Sequence, residues 1–128
     1  MSLIDIKHNN KPTRYYSSKQ EKKVAKSLLG KVTPNSGATK LGGKADVNID
    51  NLISIECKTK TKHSDSISIK KEWFIKNKES TLIDGTKYEV ISFSFGPDEE
   101  NYYIIDEKLF IDFIEYLKNK EEWIPLYI

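Results

Sequence analysis

A sequence of 128 residues with a net charge of +2 has length for one core, and that core is expected to carry the activity without a second recognition module. No apolar run of about 18 residues is present to span a bilayer, and the opening MSLIDIKHNN lacks the apolar stretch of a signal peptide, so a cytoplasmic protein with no membrane partner is expected. A single cysteine, Cys57, excludes an internal disulfide framework, and two distant histidines, His8 and His63, give a zinc centre little to build on.

The first 16 residues read as an irregular arm, broken by NNKP. SKQE then forms a capping box, with Ser18 as the cap and Glu21 three residues on, and predicts a first helix from Ser18 to Gly30. Its apolar stripe is Val24, Ala25, Leu28 and Leu29, and Glu21 lies beside that stripe. A short extended piece in KVTPNSG and a glycine-bearing loop, ATKLGG, lead to two strands at about 44–50 and 52–59. SIKKEWFIKNKEST predicts a second helix, with Ile69, Trp73 and either Ile75 or the stem of Lys76 turned inward. Two more strands follow, KYEVISFSF and NYYIID, around the turn-forming GPDEE. EKLFIDFIEYLKN is an amphipathic third helix carrying Leu109, Phe110, Phe113, Ile114 and Leu117, and WIPLYI closes the chain as an apolar extended segment. The order α, β, β, β, α, β, β, α describes one α/β domain over residues 1–128.

Charge is distributed unevenly along these elements. Residues 1–78 carry 17 Lys+Arg against 7 Asp+Glu, net +10, whereas 79–128 carry 4 against 12, net −8. So basic an N-terminal part suits a polyanion such as nucleic acid, whose condensed counterions are released when phosphates are neutralised. The alternative is a solvated lysine-rich surface.

Strand alternation fixes the register of the central hairpin. Ala45, Val47 and Ile49 share one face, as do Ile53, Ile55 and Cys57. Uniting the two sets requires 49 opposite 53, 47 opposite 55 and 45 opposite 57, around a turn at Asp50, Asn51 and Leu52. Asp46 then falls across from Glu56 on the other face, with Lys58 two positions along. Like charges so placed are destabilising, and a divalent cation, a raised carboxyl pKa or the neighbouring lysines must offset them. Alternatively, this is the wet face of the hairpin, its charges paired in surface salt bridges.

A helix glutamate, an aspartate entering a strand and Glu-x-Lys on the next strand, here Glu21, Asp46 and Glu56-Cys57-Lys58, resemble the PD-(D/E)XK nuclease superfamily. NSGATKLGGKADV followed by ISIECKTK is most similar to the archaeal-type Holliday junction resolvases and their phage-encoded relatives, which carry a serine-glycine loop before the aspartate. The resemblance covers about residues 14–118 and departs from the pattern at Ala45, where the superfamily's name-giving proline would stand.

The resemblance implies a restriction-endonuclease-like α/β core, a central mixed five-stranded sheet flanked by helices. It implies an endonuclease that hydrolyses DNA phosphodiester bonds, using Mg²⁺, for which Mn²⁺ can substitute. Asp46, Glu56 and the backbone carbonyl of Cys57 would hold the ion, with Glu21 joining directly or through water. Lys58 would orient the attacking water or stabilise developing charge. Ser36 would contact the scissile region, and Arg14, Lys40, Lys44 and Lys60 would contact phosphates. Glu21 also has a purely structural explanation in the capping box, and Ser36 one as a turn residue. A homodimer with two such sites would suit paired nicks in a four-way junction. Two further readings stay open, another nuclease of the superfamily acting on duplex or single strands, and a non-catalytic nucleic-acid-binding module.

Overall fold

The computed structural model describes residues 12–34 and 45–120. Its elements follow the expected order: α1 (Thr13–Leu28), β1 (Lys31–Val32), β2 (Val47–Ile49), β3 (Ile53–Thr59), α2 (Lys71–Asp84), β4 (Tyr88–Ser94), β5 (Tyr102–Ile105) and α3 (Glu107–Asn119). The strands form one mixed sheet in the order β1-β2-β3-β4-β5, with β3 and β4 parallel and every other pair antiparallel. The parallel pair needs a crossover, and α2 supplies it.

The expected hairpin register holds in the ladder, where Val47 pairs with Ile55 and Ile49 with Ile53. Asp50 and Asn51 both take left-handed backbone, φ 49° and 57°, and the Leu52 N–H donates to the Ile49 carbonyl at 2.8 Å. That geometry is a type I′ turn, whose twist matches the flanking strands. One expected pair is not made. The ladder stops at Val47, so Ala45 does not pair with Cys57 through the backbone.

The first helix departs from expectation at its start. It begins at Thr13 after Pro12, without a side-chain cap, so Ser18 is an interior helical residue and SKQE is no capping box. Pro12 offers a carbonyl, which the Tyr15 N–H takes at 2.9 Å, and its own missing N–H is not needed there. The helix ends two residues before the expected stop at Gly30. Leu29 adopts the left-handed conformation, and the Gly30 N–H bonds back to the Ala25 carbonyl at 2.8 Å. Gly30 allows a close approach, because a Cβ there would press on the Asn48 carbonyl oxygen and Ile49 Cγ1 at 3.0 Å.

Two unlike faces flank the sheet. On one, Val24 and Ala25 of α1 pack on Val47, Ile55, Cys57 and Val90, with Leu28, Ile53 and Leu109 at the margin. On the other lies α2, and its inner residues are polar. Asn77 and Ser80 are its buried positions, whereas Ile69 just before it and Ile75 within it are exposed, contrary to expectation, and Trp73 is half-buried. The helix is fastened by hydrogen bonds, from Asn77 Nδ2 to the Val90 carbonyl at 3.0 Å and from Ser54 Oγ to Asp84 Oδ2 at 2.9 Å. α3 is capped by Asp106, whose Oδ1 accepts the Leu109 N–H at 2.8 Å. Leu109, Ile114 and Leu117 turn partly inward, but Phe110 and Phe113 are exposed, so the expected stripe is only half used. Among the described residues no helix is long and apolar enough to cross a membrane. WIPLYI lies outside the described residues.

Candidate functional site

Asp46 is positioned from three sides at the point where β2 begins. Its carbonyl accepts the Thr33 N–H at 2.9 Å, and the N–H of its neighbour Ala45 reaches Asp84 Oδ2 at 3.2 Å. Its own carboxylate takes the Cys57 N–H at 2.9 Å. This last bond explains the shortened ladder, since the Asp46 side chain satisfies a donor that the Ala45 backbone would otherwise have met.

Glu56 stands next to Cys57 on β3, only 7% exposed, and faces α2. Burial and the adjacent Asp46 carboxylate push its pKa up from the ordinary carboxylate range, and Lys58 and Lys76 pull it back only in part. Lys58 Nζ lies 3.6 Å from Glu56 Oε1 and 5.3 Å from the centroid of the Trp73 ring, so the amine is held between a carboxylate and a π-face. Asp46 and Lys58 thus both bear on Glu56 near the end of β3, although the ladder stops at Val47 and Ile55, short of the expected pairing of Asp46 with Glu56.

Glu21 reaches the sheet from the other side. Gln20, Glu21, Val24 and Ala25 occupy one face of α1, because residues four apart stack above one another, so burying Val24 and Ala25 carries the two polar residues inward. Glu21 is 1% exposed, and its Oε2 lies 3.1 Å from Arg14 Nη1. Arg14, expected on a phosphate, is therefore engaged with Glu21, and Glu21 is a buried charge with a cationic partner and no capping duty. Glu21 and Asp46 both act on the Cys57 thiol, which burial first and these acids next push far up, leaving it neutral and inert. Among the described residues no three Asp, Glu, His or Cys side chains come together as one metal-sized group.

Lys60 donates to Ser64 Oγ at 3.1 Å. Ser36, Lys40, Lys44 and His8 lie outside the described residues. Two contributors, Gln20 and Asp84, are unmarked in the sequence, whereas Trp73 and the stem of Lys76 are expected inward positions of the second helix. Gln20 donates from Nε2 to the Lys58 carbonyl at 2.9 Å and to Asn101 Oδ1 at 3.2 Å. Asp84 braces Ala45, Lys76 bears on Glu56, and Trp73 covers Lys58. Gln20 was open to detection, since it precedes Val24 by the same four residues that separate Glu21 from Ala25.

The raised Glu56 pKa has a consequence for stability. The folded state binds this proton more tightly than the unfolded chain, so Glu56 contributes stability below the ordinary carboxylate range, and that contribution is lost as pH rises through its folded pKa. Glu56→Gln is expected to flatten this fall and to stabilise the metal-free protein near neutrality by up to about 1 kcal/mol, the scale of a cross-strand pair. Urea unfolding from pH 4 to 8 checks it, and parallel pH profiles for the two proteins would refute it.

Comparison with protein-family models, with curated proteins and with solved structures finds no match to this chain.

Proposed function

We propose that this chain is a metal-dependent DNA endonuclease of the PD-(D/E)XK type, most similar to the Holliday junction resolvases. The observation that carries the reading is the conjunction of Asp46, Glu56 and Lys58 at the end of one β-hairpin, an aspartate whose charge bears on a buried glutamate with an amine 3.6 Å from that glutamate. Keeping two like charges together has a cost that ordinary fold stability does not explain, whereas phosphodiester hydrolysis uses both acids and the amine.

The donor set fits a hard divalent ion. Asp46, Glu56 and the Cys57 carbonyl offer oxygen only, and Mg²⁺ is commonly held by one or two carboxylates with water and substrate phosphate completing its shell. Such an ion would polarise a phosphoryl oxygen and lower the pKa of bound water. Lys58 would place positive charge where the transferring phosphoryl group becomes more negative, with Trp73 and Glu56 fixing the amine. Glu21, paired with Arg14 behind Cys57, would act by shaping the field at Asp46. Lys60, and Lys40 and Lys44 of the preceding loop, are the proposed phosphate contacts, with Ser36 beside the scissile bond.

Branched DNA is the proposed substrate and a homodimer the proposed acting form. Phe110, Ile111, Phe113 and Tyr116 leave an apolar strip of α3 at the surface, which supports a second copy docking there. The test is incubation with an immobile four-way junction, a linear duplex and a single strand, in Mg²⁺ or EDTA. Symmetric paired nicks in the junction alone, lost in EDTA, are expected. Equal cutting of the duplex would make it a different nuclease of the superfamily, and tight binding without cutting in any metal would sink the enzyme reading.

A further inference from the structure

The register of three strands carries a second feature of the same face. Lys58 pairs with Phe93 across the parallel β3–β4 ladder, and Phe93 pairs with Tyr102 across the antiparallel β4–β5 ladder. Paired residues share a face, so Lys58, Phe93 and Tyr102 form one row across the sheet, two residues along the strand from the row of Glu56. With strands about 4.8 Å apart, Tyr102 stands roughly 10 Å from Lys58, within reach of a nucleotide next to the one being cut. Phe93 stacks under Tyr102, with centroids 5.6 Å apart and planes at 25°, and Phe95 meets both edge-on at 5.5 and 5.7 Å. Phe93 and Phe95 are half-buried, and Tyr102, on the edge strand, is 46% exposed. The phenol ring is thus backed by two rings and open on its outer side.

The row is tied to the candidate site through Gln20. This glutamine is 7% exposed, and one amide nitrogen serves both the Lys58 carbonyl and Asn101, the residue before Tyr102. The start of β5 is therefore fixed against the strand that bears the lysine. Two of the three acids of the adjoining turn have partners: Asp98 lies 2.7 Å from Lys19, which lessens its repulsion of a phosphate backbone, and Glu99 lies 2.6 Å from His63.

We propose that Tyr102, supported by Phe93 and Phe95, is a stacking platform for an unpaired nucleobase beside the scissile phosphate. It selects strands whose bases are free to leave the helix, as at a branch point or in a single strand, because a base inside a continuous duplex presents no open π-face. This inference rests on the nuclease reading above and names the substrate class of that site.

Binding in EDTA separates the two claims, since no cutting is needed. Fluorescence anisotropy of the full-length chain is read with a labelled oligothymidylate of about 12 nucleotides, an abasic strand of equal length and a blunt duplex. The oligothymidylate is expected to bind roughly 5- to 100-fold more tightly than the abasic strand, the range for one stacked base. Tyr102→Ala should erase that ratio, and Tyr102→Trp should preserve it. Should Tyr102→Ala lose its circular dichroism signature, Tyr102→Leu, which keeps apolar bulk without a π-face, takes its place and should also erase the ratio. A wild-type protein indifferent to abasic sites, or a ratio that survives loss of the ring, overturns the platform while leaving a nuclease standing. Self-association abolished by Tyr102→Ala in sedimentation, with no base dependence, would make the patch a contact between copies and overturn it as well. Failure to bind the oligothymidylate overturns the platform, whereas the nuclease reading stands or falls separately on cleavage of the four-way junction in Mg²⁺.

Discussion

Asp46→Asn is expected to lower the rate of phosphodiester cleavage by about 10³-fold or more while leaving the fold intact. The asparagine keeps an oxygen in the place that accepts the Cys57 N–H at 2.9 Å, so the contact that ends the β2–β3 ladder survives. What disappears is the negative charge. A metal ion at this site would supply several kcal/mol of transition-state charge stabilisation, and each 1.36 kcal/mol is a factor of ten in rate. The substitution also removes a charge that pushes up the Glu56 pKa, so the variant should be at least as stable as the parent. Single-turnover cleavage of the junction, alongside urea unfolding, measures both. An active variant would remove Asp46 from the centre, and an unfolded one would make its role structural.

Lys58→Met should reduce turnover by about 10²- to 10⁴-fold, with a small change in KM, because a positioned cation acts mainly on the transition state. Methionine retains an unbranched apolar side chain of similar reach, so packing is largely preserved. Lys58→Arg is expected to rescue poorly. A guanidinium is larger, spreads its charge over a planar fork and cannot take the same place between Glu56 Oε1 and the indole. A KM effect with unchanged turnover would recast Lys58 as a phosphate-binding residue.

These residues could be located from the sequence because a strand has only two faces. Once Val47, Ile49, Ile53 and Ile55 had to share one, Asp46, Glu56 and Lys58 were bound to share the other, and the ladder agrees. Helical signals were less binding. SKQE satisfies the capping pattern, yet the preceding TRYYS continues the helix back to Pro12, since a local capping option is overridden when the whole α1 face can pack. The inner face of α2 was illegible for a different reason. Asn77 and Ser80 are polar, so periodicity assigned the inward positions to Ile69 and Ile75, and only their tertiary partners, the Val90 carbonyl among them, explain the burial. The pairing of Glu21 with Arg14 also depends on which side of the sheet α1 occupies, and strand alternation does not determine that.

Directional bonds seat α2, and this makes the helix an indexing element. Apolar packing tolerates a small slide or rotation, whereas Asn77 Nδ2 must meet one carbonyl and Asp84 must meet Ser54, so α2 has a single register on the sheet. Trp73, one turn before Asn77, inherits that register. The placement of the indole over Lys58 is thereby set by polar contacts farther along the helix, and the geometry of the amine depends on bonds that never touch it.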